Sequence, residues 1–101
     1  MKTVKTVLWL SWNAWKARRQ SQKLYKEANK WLKESMLMKQ QAELLKKWYP
    51  DAEEATNLMK DAVYLVNYSR QCMEKSVWFR QNETMYREEL ADLWADVVTA
   101  R

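Results

Sequence analysis

Apolar residues recur along this chain at every seventh position, and the phase never slips. One series runs Val7, Ala14, Ser21, Ala28, Ser35 and Ala42. A second, three residues on, runs Leu10, Ala17, Leu24, Trp31, Met38 and Leu45. These are the a and d positions of a heptad, the spacing that lays a single stripe along a helix. The outward f positions, Lys5, Trp12, Arg19, Lys26, Lys33, Gln40 and Lys47, are basic or polar apart from Trp12. The second half repeats the pattern with Ala55, Ala62, Ser69, Ser76, Glu83, Leu90 and Val97 at a. Its d series is Leu58, Leu65, Cys72, Phe79, Tyr86, Leu93 and Ala100. The spacing predicts two helices, over about residues 3–48 and 51–99.

Between them lies Trp48-Tyr49-Pro50-Asp51, which holds the only proline of a chain that has no glycine. Proline lacks an N–H and clashes with the preceding turn, so the first helix should stop near Tyr49. Proline is tolerated in the first turn of a helix, and Asp51, Glu53 and Glu54 place negative charge at the next N-terminus. The sequence therefore predicts an antiparallel two-helix hairpin turning at residues 48–51, as one all-α domain. A three-helix alternative would turn at Asn82-Glu83-Thr84, with Asn82 as an N-cap.

Folding at Pro50 pairs a residues with d residues: Leu45 with Ala55, Ala42 with Leu58, Met38 with Ala62, Ser35 with Leu65, Trp31 with Ser69, Ala28 with Cys72. On this reading small meets large in nearly every layer, which fills a seam at close helix spacing. Only Glu83 breaks the rule.

One seam cannot cover the remaining apolar residues. Tyr25, Leu32, Met59, Val66 and Met73 occupy e positions along one edge, and Val63, Tyr64, Val77, Trp78, Met85, Trp94 and Val98 widen the stripe on the second helix. A contiguous exposed patch of that kind marks an interface. Tyr25, Leu32, Met59, Val66, Met73, Val77 and Trp78 are thus the expected contact set of a homo-oligomer. A two-fold dimer of hairpins making a four-helix bundle is the closed solution, and a filament the open one.

Composition narrows the chemistry. There is no His, which removes the commonest general base and metal ligand. A single cysteine, Cys72, allows no internal disulfide and suits a reducing, cytoplasmic setting. No phosphate-binding glycine loop, Cys-x-x-Cys or di-iron carboxylate pattern is present. No catalytic, cofactor-binding or metal-binding set can be assembled, so a non-enzyme is expected. Val7-Leu8-Trp9-Leu10 behind Lys2 and Lys5 is too short for a signal peptide, and no stretch reaches the ~20 apolar residues of a membrane span.

Charge is uneven. Residues 1–50 carry twelve Lys or Arg against three Glu, a net +9, whereas residues 51–101 carry six against ten, a net −4. Two basic groups stand out. Arg18 and Arg80 should face each other at the seam edge, near Arg19, Arg87 and Glu83. Either Glu83 pairs with Arg80 or Arg87 and fixes register, or the cluster binds an anion. The first helix also presents Lys16, Arg19, Lys23, Lys26, Lys30, Lys33 and Lys47 outward, as a solvated face or as a sequence-independent contact for nucleic-acid phosphates. Trp12 and Tyr25 could add base stacking. A membrane surface is a weaker fit, because the apolar residues near the N-terminus continue the seam. The first reading is therefore a self-assembling structural protein. The second is a nucleic-acid-packaging, coat-like protein, which would place it in a virion. The third is an artificial helical bundle without a natural role.

Overall fold

The computed structural model describes residues 2–99. Two α-helices make up the fold: α1, Lys2–Trp48, and α2, Glu53–Thr99, packed against each other as an all-α hairpin with no strand among the described residues. The expected d residue Ala100 lies outside the described residues. Through Asn82-Glu83-Thr84 the helix α2 is continuous, so the three-helix alternative is wrong.

The connection differs from expectation by two residues. Tyr49 N–H still donates to the Leu45 carbonyl at 2.8 Å, and Ala52 N–H donates back to the Tyr49 carbonyl at 3.0 Å. This closes a β-turn over residues 49–52 with Pro50 in its second position. No non-glycine residue among those described has a positive φ, which leaves type I, the turn whose second position suits proline's fixed φ. Pro50 therefore sits in the turn and not in the first turn of α2, and α2 starts at Glu53 rather than Asp51. Lys46 and Lys47 end α1 while Glu53 and Glu54 begin α2, so both helix dipoles are complemented at this connection.

The heptad register is the burial pattern. Every described residue that is fully buried is an a or d residue: Leu10, Ala14, Ala17, Ser21, Ala28, Ser35 and Ala42 on α1, and Ala55, Ala62, Ser69, Cys72 and Ser76 on α2. Eleven of these twelve are Ala, Ser or Cys, and Leu10 alone is large.

The chain divides into two compact units, residues 1–23 with 75–101, and residues 24–74. In the first, Ser76 Oγ donates to the Ser21 carbonyl at 2.8 Å and the two hydroxyls lie 3.1 Å apart. Since the Ser76 proton is committed to the carbonyl, Ser21 donates to Ser76. In the second unit, Ser69 Oγ donates to the Ala28 carbonyl at 2.7 Å. Both contacts join an a residue to an a residue. At these two layers the expected pairing of a with d gives way to a against a. There small side chains oppose small ones, the backbones come close enough for a hydroxyl to reach the opposite main chain, and most of the large d residues, Leu10 excepted, lie less deeply. Leu24, Trp31, Met38, Leu45, Leu58, Leu65, Phe79 and Tyr86 are accordingly only half-buried.

Candidate functional site

With the a residues central, e and b positions form one flank of the hairpin and d and g positions the other. In the unit of residues 24–74, the e flank presents Tyr25, Leu32 and Val66 exposed, with Met59 and Met73 half-buried. These are five of the seven residues expected at an oligomer contact, and the fold leaves them uncovered. The other two, in the unit of residues 1–23 with 75–101, separate. Val77 is exposed at a b position, on the e side of its own unit. Trp78 meets the Phe79 ring at 4.9 Å and 79°, and lines a depression with Asn13, Lys16, Ala17, Gln20, Asn82 and Tyr86. Three of these are g residues, so Trp78 belongs to the opposite side.

That d and g side escaped the sequence reading, which had its large residues capped by facing small ones. In residues 24–74 it carries Trp31, whose ring meets Tyr68 edge-on at 5.9 Å. The Trp31 indole Nε1 is buried without a hydrogen-bond partner. Electrostatic interaction with Cys72 and, to a lesser extent, with Glu27 holds the exposed Tyr68 phenol above its ordinary pKa. The signal was available in the sequence: within residues 24–74 both a series, Ala28, Ser35 and Ala42 and Ala55, Ala62 and Ser69, are small, so neither could fill the seam alone.

Arg18, Arg80 and Arg87 are all exposed. Arg18 lines a shallow depression whose other members, Trp15, Arg19 and Gln22, all belong to α1. Glu83 pairs with Arg87, 3.5 Å away one turn on, and not with Arg80. The contact is ionic without hydrogen-bond geometry, since the buried Glu83 Oε2 has no hydrogen-bond partner. It is the only ion pair among the described residues. Arg80 is exposed, and its carbonyl accepts a hydrogen bond from Thr84.

Along the outer face of α1, Lys16, Arg19, Lys23, Lys26, Lys30 and Lys33 are all exposed. Several already have aromatic partners. Trp12 and Trp15 stack at 5.2 Å, with Lys16 6.0 Å from the Trp12 ring and Arg19 5.2 Å from that of Trp15. Lys30 lies 5.2 Å from the Trp31 ring. These cation–π contacts occupy ring faces that base stacking would need. Lys23, Lys26 and Lys33 are left without ion pair or ring contact.

At the free ends of the helices, Val4, Val7, Leu8, Leu90, Leu93, Trp94 and Val97 line an apolar depression. Cys72 is a buried free thiol. Among the described residues no group of three or more Cys, Asp or Glu could hold a metal ion, and no helix is long and apolar enough to cross a membrane. In comparisons with known protein families, characterised proteins and solved structures, nothing matches the chain.

Proposed function

We infer that this chain is a non-enzymatic structural protein that assembles with copies of itself through its apolar flanks. One observation carries the reading: the hairpin's own core is built almost wholly from Ala and Ser, while its large apolar side chains stand on the flanks. Fully burying a Val or Leu side chain contributes ~1.5–3 kcal/mol, and here that gain is open to a second chain. A reducing compartment suits the lone thiol.

Sedimentation of the unmodified chain over a range of concentrations should show an oligomer. Replacing Leu32 and Val66 together with Glu should dissociate it and lower its thermal stability, since each substitution puts a charge into an apolar contact. A well-folded monomer of the unmodified chain at every concentration would end this reading.

A second reading, nucleic-acid packaging, rests on Lys23, Lys26 and Lys33, exposed on α1 without partners. The ring contacts made by Lys16, Arg19 and Lys30 weigh against the stacking half of it.

A further inference from the structure

The two flanks of residues 24–74 carry opposite charge. At the e and b positions the ionic side chains are Lys39, Lys46 and Arg70 against a single Glu43. At the d and g positions they are Glu27, Glu34, Glu54 and Asp61, with no cation. All are exposed except the half-buried Glu27, and none is in an ion pair within the chain. Each set borders apolar side chains: Leu32 and Val66 on the basic side, Trp31 and Leu65 on the acidic side. In the other unit the e positions again hold cations only, Arg18, Arg80 and Arg87, while its g side is mixed.

We propose that the occupant of each flank is a second copy of this chain, docked heterologously, with the basic e flank of one copy on the acidic d/g flank of the next. This rests on the self-assembly reading and specifies its contact. A two-fold pairing of like flanks would set Lys39 and Lys46 of one copy among the same residues of another, or Glu34 and Asp61 among theirs. Like charges brought together across an interface oppose association, whereas unlike ones steer and select it. The heterologous arrangement neutralises both rims and covers both apolar strips with one kind of contact. Because each copy keeps a free flank of each sign, addition continues until the rotation per copy closes a ring, or runs on as a filament.

The test reverses one flank at a time in the full chain. One variant carries Lys39→Glu and Lys46→Glu, the other Glu34→Lys and Asp61→Lys. All four positions are exposed helix surface, and circular dichroism checks that the helices persist. Each variant alone should associate more than about tenfold more weakly than the unmodified chain by sedimentation, and an equimolar mixture of the two should recover the assembly. A chain carrying all four reversals should assemble alone. If each two-site variant assembles as well as the unmodified chain, the heterologous contact is wrong although self-assembly stands. If the unmodified chain is monomeric, or assembles only when duplex DNA is added, the self-assembly reading itself falls.

Discussion

Ser69 and Ala28 show how much rests on side chains of minimal size. The Ser69 hydroxyl reaches the Ala28 carbonyl at 2.7 Å only because neither residue holds the helices apart. Ser69→Ala removes one hydrogen bond and keeps the spacing, and should cost about 1 kcal/mol. Ala28→Leu keeps that carbonyl but drives three more carbons against the opposite main chain. Overpacking costs about 1–3 kcal/mol, and the upper end applies where both sides of the layer are already small. Lys26→Leu, on the outward face, should change stability by less than about 0.5 kcal/mol. Urea unfolding of all three at one protein concentration checks the order, and equal midpoints for Ala28→Leu and Lys26→Leu would show the register to be wrong. The smallness of these residues was legible from the sequence, but their partners were not. A heptad letter fixes the stripe, whereas a modest rotation of each helix about its axis decides whether a meets a or d. Bond-forming serines at Ser21, Ser69 and Ser76 tip that rotation toward a.

At the scale of the helices, both elements and their phase follow from the seven-residue repeat, since no glycine or second proline competes with it. The start of α2 lies two residues later than expected because Pro50 and the acidic Asp51 were placed in its first turn, whereas the turn around Pro50 takes Asp51 as its third residue. That leaves Ala52 immediately before α2, and its methyl group cannot accept from the first free N–H groups. The main chain offers only the Ala52 carbonyl, bonded to Ala55 N–H at 3.3 Å. Ala52→Ser would supply the missing acceptor and should raise stability by about 0.5–2 kcal/mol. Thermal unfolding with unchanged helix content checks it, and a null or negative shift would mean that another group already caps α2. The flanks were half legible: the e stripe stood out as consecutive apolar residues, while the d side was hidden by the assumption that it was filled from across the seam.

For the whole chain, the packaging and assembly readings are separable because they invoke different faces. Lys23, Lys26 and Lys33 lie at c and f positions on the outer side of α1, away from both flanks. If they bind phosphates, each neutralised contact releases counter-ions, and the affinity for duplex falls with salt at a slope of about −0.9 per contact. Changing the three to Gln should then lower the affinity and flatten that slope by almost three, while the sedimenting mass of the assembly stays as it was. Lys30 is left in place because its ammonium lies beside the Trp31 ring, and removing it would disturb packing as well as charge. No base-reading pattern is apparent in α1, so random and defined duplexes should bind alike. A face that is only solvated behaves otherwise: duplex binding is weak at low salt, vanishes near about 150 mM, and leaves the assembly unchanged. If the proposed flank contacts form, salt should act on them too, through Lys39, Lys46, Glu34 and Asp61, but that response should survive the three Gln substitutions and need no nucleic acid. Absence of saturable duplex binding at physiological salt would remove the packaging reading and leave self-assembly to account for the exposed flanks alone.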